Sequence, residues 1–80
     1  MKKYLIIIER ANGNYSACAP DVDGCIAVGD TIEETRRNMA EGLQFHFEGM
    51  AGDGEAIPEP GSVADYVEVD VPEPVKGKPR

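Results

Sequence analysis

Histidine, cysteine and positive charge are all scarce in this sequence, and each shortage narrows what the chain can do. His46 is the only histidine, and Cys18 and Cys25 are the only cysteines. They form no CxxC pair and match no Cys/His spacing that would hold zinc. Eight Lys and Arg stand against fifteen Asp and Glu, for a net charge of −7. That balance disfavours a phosphate-binding surface, because nucleic-acid affinity rests on clustered cations, and an acidic chain suits a basic partner better. Long hydrophobic runs are missing as well: the run from Tyr4 is five residues long before Glu9 interrupts it, too short for a signal peptide or a membrane span. The expectation is a cytoplasmic protein with no membrane contact and no cofactor, whose cysteines are small buried thiols.

Eighty residues make one small domain with a modest core, for which self-association or a partner is a reasonable expectation. The stretch Lys3–Glu9, rich in isoleucine, reads as a first strand, followed by an Asn-Gly hairpin signal at Asn12 and Gly13. Tyr15–Ala19 returns as a second strand. Pro20 to Gly24 turns the chain, and Cys25–Gly29 reads as a third. Thr31 and Glu34 make a capping box, and Asp30, Glu33 and Glu34 favour the positive end of a helix dipole. Ile32, Met39, Leu43, Phe47 and Met50 recur at spacings of seven, four, four and three, one stripe of a helix running to about Gly49. Asp65–Val71 alternates, with Val67, Val69 and Val71 on one face, and reads as a fourth strand. The domain is expected to span residues 1–72, and the Pro-rich residues 73–80 to form a flexible tail.

The segment Ala19–Asp30 invites a calcium reading, since Asp21, Asp23 and Gly24 fit positions three, five and six of an EF-hand loop. Position one would be Ala19, which has no ligand oxygen, and position twelve Asp30, a poor bidentate ligand. Strands rather than helices flank it, so its acids read better as turn chemistry and negative potential.

An α+β fold of order β-β-β-α-β follows, with a right-handed crossover placing the fourth strand beside the first in a mixed sheet of order 3-2-1-4. Tyr4, Ile6 and Ile8 point to one face and Leu5 and Ile7 to the other, so both faces need cover and one helix supplies it for only one. Leu5 and Ile7 are therefore candidates for an oligomer or partner interface, together with Phe45, which lies off the helix stripe. A homo-oligomer, dimer or higher, is expected.

These residues also carry a resemblance. Pro20, Asp21, Gly24 and Cys25, then Gly29, Asp30, Thr31, Glu33 and Glu34, then Ile57, Pro58 and Pro60 resemble, in fixed order, the motifs of the HicB-like antitoxin family. The resemblance covers roughly Tyr4 to Val71 and implies a partial RNase H-like fold. It also implies an antitoxin that binds HicA, a small basic toxin that cleaves messenger RNA. Asp23 departs from the family pattern, which has proline there. Many relatives continue into a DNA-binding segment that this sequence does not show, so no direct DNA binding is expected of it. Asp21, Asp23, Glu33 and Glu34 are the candidate toxin contacts, through charge complementarity.

Two other classes compete. A metal-dependent nuclease on this fold would draw on Glu9, Glu41 or Glu48, and Asp70, but alternation alone accounts for Asp70, and a further carboxylate is wanted. A stand-alone oligomeric binding domain without a toxin would use the same apolar sheet face. His46 has no nucleophile constellation around it and reads as a boundary residue, while Arg36 and Arg37 solvate the outer helix face.

Overall fold

A computed structural model describes residues 1–77. Asn12 and Gly13 join strand β1 (Ile7–Ala11) to β2 (Asn14–Ala19), Ala11 pairing directly with Asn14. Only Gly13 enters the left-handed region, at φ 76°, and Asn12 stays outside it, so the turn is not the type with both residues left-handed that Asn-Gly favours. Pro20 and Asp21 then turn the chain into β3 (Val22–Gly29), which pairs antiparallel with β2. The third strand thus begins three residues earlier than Cys25. Its register jumps between Cys18↔Ile26 and Ala19↔Val22, leaving Asp23, Gly24 and Cys25 as a bulge in which Gly24 takes φ 77°. The Pro and Gly signals of this stretch belong to two features, a tight turn and a bulge.

Helix α1 (Ile32–Gly52) starts at Thr31, whose side chain accepts the Glu34 N–H at 3.0 Å. Glu34 reaches back to the Asp30 N–H at 2.6 Å, one residue earlier than in the usual capping box. The helix runs past Gly49 because one exposed glycine costs about 1 kcal/mol and does not by itself end a helix. What ends it is Gly54 at φ 75°, where the Gly54 N–H bonds Ala51 O and the Glu55 N–H bonds Met50 O, the paired bonds of a Schellman motif.

Alternation sends Ala17, Ala19, Val22 and Cys25 toward α1, where they meet Met39 and Leu43, with Tyr4, Ile6, Ile8, Ala27 and Phe47 packed around them. Of the expected stripe, Met39 and Leu43 are buried, Phe47 and Met50 half-buried, and Ile32 exposed. Thr35 is fully buried instead, its hydroxyl donating to Thr31 O at 2.7 Å. Its neighbour is Gly29, where an added Cβ would lie 2.6 Å from Thr35 Oγ1. This close approach of strand end to helix start explains the glycine in the Gly29–Asp30–Thr31 motif.

The fourth strand is a correction. The sheet is three-stranded, in order β1-β2-β3, with β1 at its edge rather than its centre. Asp65–Val71 is exposed throughout and pairs with no strand among the described residues. Its alternation marks a segment able to be a strand but does not name the strand it pairs with. The root of this arm is fixed elsewhere: both Asp21 carboxylate oxygens accept bonds from it, from Gly61 N–H and Ser62 N–H at 2.9 Å and from Ser62 Oγ at 2.8 Å. Beyond Ser62 the chain leaves the body, giving extents of 59 × 28 × 23 Å. Of the tail expected at 73–80, residues 78–80 lie outside the described residues.

Candidate functional site

Two surfaces stand out from the body of the fold. The first is the sheet face turned away from α1, where Ile7, Cys18 and Ile26 form one cross-strand row and Glu9, Ser16 and Val28 the next. Ile26 is 75% exposed, Val28 57% and Ile7 44%, so an apolar strip crosses all three strands. Leu5 and Cys18 are half-buried. The strip continues around the β3 edge into a groove of about 460 Å³ lined by Cys25, Ile26, Gly42, Phe45 and His46. Phe45, 79% exposed, is its outer wall. Leu5, Ile7 and Phe45, singled out from the sequence, belong to this surface or its border; Ile26 and Val28 are its larger part and were not singled out. Cys25–Gly29 was recognised as a strand, but the inserted bulge residues decide which of its side chains face out.

The second surface lies beside the segment that leads into β1. Tyr4 and Ile6 on one side, and Leu43, Gln44 and Phe47 of α1 on the other, line a groove of about 640 Å³ closed at one end by Ile57. It exists because α1 lies chiefly over β3 and only touches β1. The loop 57–60 is laced to its rim: Tyr4 Oη donates to Pro58 O at 2.6 Å and Lys2 pairs with Glu59, while the Tyr4 ring packs against Phe47, tilted by 47° with centroids 4.9 Å apart.

The four candidate acids do not form one cluster. Asp21 and Asp23 lie at the start of β3, and Glu33 and Glu34 beyond its end, about 20 Å away at ~3.3 Å per residue. Two of them already have work within the fold. The three bonds from Gly61 and Ser62, the backbone pair foremost, hold the Asp21 carboxyl below the usual aspartate range, and Glu34 caps the helix. Asp23 and Glu33 make no side-chain hydrogen bond among the described residues. The carboxylates considered for a nuclease are not brought together: Glu9 is on the open sheet face, Glu41 and Glu48 on the helix behind it, and Asp70 on the unpaired arm. Among the described residues no three His, Cys, Asp or Glu side chains converge as a metal site would require. Burial pushes the Cys25 thiol up from its ordinary pKa, which keeps it protonated and inert.

A profile described as the HicB_like antitoxin of bacterial toxin-antitoxin systems matches residues 4–73. The chain belongs to the HicB-like antitoxin family. An uncharacterised 14.9 kDa protein encoded in the rep-hol intergenic region of Haemophilus phage HP1 is 41% identical over 64 residues, 80% of this chain and 48% of that protein. The HicB-like chain thus spans about half the length of this phage relative. A UPF0150 protein of Synechocystis is 30% identical over 57 residues, 70% of this chain and 72% of its own. Among solved structures, a chain of the HicA3 and HicB3 toxin-antitoxin complex superposes with a TM-score of 0.66 at 28% identity, covering 75% of this chain and 70% of that one. No helix among the described residues is long and apolar enough to cross a membrane.

Proposed function

We propose that this HicB-like domain is a non-catalytic binding module that neutralises a small basic HicA-type toxin, an mRNA-cleaving protein, by direct contact in the cytoplasm. The observation that carries this reading is the apolar strip Ile7–Ile26–Val28, continued to Phe45, on a chain of net charge −7. An exposed apolar strip bordered by charge is the composition of a protein-docking surface. The acidic field steers a cationic toxin toward it and repels DNA. Asp23 and Glu33, whose carboxylates are free of internal bonds, are the flanking toxin contacts; Asp21 and Glu34 add negative potential while serving the arm and the helix cap. Leu5 and Ile7 form the β1 side of the docking surface. The three antiparallel strands followed by one helix support the partial RNase H-like description of the fold.

Co-expression with a small basic candidate toxin, sought in the reading frames beside this one, tests the reading. Growth arrest by that protein is expected to be relieved, and purified domain to block its cleavage of RNA. Substituting the anchors, Ile26→Asp or Phe45→Ala, is expected to weaken the complex about 30-fold or more, the scale of a central interface residue. A domain that binds no such protein and protects no RNA, yet self-associates, would favour the stand-alone oligomer instead.

A further inference from the structure

The arm, residues 63–71, carries the alternating pattern of a strand and pairs with no strand among the described residues. Val67, Val69 and Val71 alternate with Tyr66, Glu68 and Asp70, and the three valines are 84%, 72% and 79% exposed. A row of valines costs solvation free energy wherever it meets water, so its exposure marks a surface made to be covered. The arm is nonetheless held at its root, where Asp21 binds the backbone of Gly61 and Ser62, and its departure from the body is therefore part of the fold.

The body, in turn, has a vacancy of matching shape. β1 is an edge strand whose outer N–H and C=O groups pair with nothing among the described residues, and an open edge is a template for another strand. Beside the segment that leads into that edge runs the apolar groove between Tyr4 and Ile6 on one side and Leu43 and Phe47 on the other. A strand added to β1 would turn alternate side chains toward α1, into this groove. Charge agrees as well. Lys3 precedes β1, Arg10 lies on it and Arg36 lines the groove, while the arm's polar face carries Glu68 and Asp70.

We propose that the arm is addressed to a second copy of this chain: residues 63–71 of each copy lie along the free β1 edge of the other and the segment leading into it, their valines filling the groove that Tyr4 and Ile6 form with α1. The exchange is isologous, so two arms and two grooves are buried at once in a two-fold dimer. Nine arm residues span about 30 Å at ~3.3 Å each, longer than the two shorter extents of the chain, 28 and 23 Å. Arm, edge and groove together engage about twenty residues a side, the size of a standard stable interface. The open sheet face and the β3 edge stay free, so this inference goes beyond the antitoxin reading and stands whether or not a toxin binds there.

The test uses the full chain. Light scattering is expected to give twice the monomer mass, and a sample mixing isotope-labelled and unlabelled chains to give intermolecular NOEs between Val67–Val71 and residues 5–9, in β1 and the segment leading into it. Val69→Asp is expected to weaken the dimer about 100-fold, since each dimer carries the buried charge twice, while the far-UV spectrum of the body stays unchanged because Val69 is exposed on the arm, outside the packed core. A monomer whose arm folds back on its own β1, a monomer with an unpaired arm, or a dimer indifferent to Val69→Asp would each overturn the proposal.

Discussion

Gly29 has no Cβ, and the first turn of α1 occupies the space one would take. A methyl there would stand 2.6 Å from Thr35 Oγ1 and 2.8 Å from Thr35 N. Thr35 cannot retreat easily, because its N–H and hydroxyl both bond Thr31 O, at 2.9 and 2.7 Å, and its side chain is fully buried. Gly29→Ala is therefore expected to destabilise the domain by about 1–3 kcal/mol, the usual cost of overpacking. A urea titration would show this as a lower midpoint with an unchanged slope. A loss below about 0.5 kcal/mol would show that strand end and helix start separate without cost. Gly29 was legible in the sequence as part of a motif. The reason for it was not, because Thr35 sits off the apolar stripe and its burial depends on the strand that reaches it.

At the scale of elements, local signals were legible and pairing was not. The β2 hairpin, the capped helix start and the order of the first four elements follow from turn residues, caps and periodicity, which act within a few residues of each other. The helix end was misplaced at Gly49 because glycine in the chain signals a stop only when the backbone turns left-handed, as it does at Gly54. The arm was read as a fourth strand beside β1, but what fixes its course is Asp21, forty residues away and outside any local pattern. That anchor makes a pH prediction. The carboxyl is held below the ordinary aspartate value of about 3.9 by the Gly61 and Ser62 bonds, so the bonded, ionised form is fully present above that value and is lost as pH falls through the depressed one. Amide shifts of Gly61 and Ser62 are expected to titrate together, with a midpoint below that of an unbonded aspartate, and to lose this transition in Asp21→Asn. A midpoint at or above the ordinary value would mean that the arm is not held by this side chain.

In the proposed complex, apolar and acidic surface divide the work of finding and keeping the partner. Among the described residues the buried apolar side chains are Ala17, Ala19, Val22, Cys25, Met39 and Leu43, so much of the apolar content is left outside, on the open sheet strip, around Phe45 and on the arm. A net charge of −7 keeps such a chain soluble and gives it a long-range field toward cations. Complementarity of that kind acts on encounter, whereas desolvated apolar contacts act on dissociation. With a basic toxin, raising ionic strength from about 0.05 to 0.5 M, which shortens the screening length from above 10 Å to under 5 Å, is expected to slow association by about tenfold or more and to leave the dissociation rate nearly unchanged. Stopped-flow mixing measures both rates. Ile26→Asp should show the opposite signature, a faster dissociation with association little affected. If salt instead accelerated dissociation and spared association, the acids would be buried contacts at the centre of the interface, and the apolar strip would not be what holds the complex together.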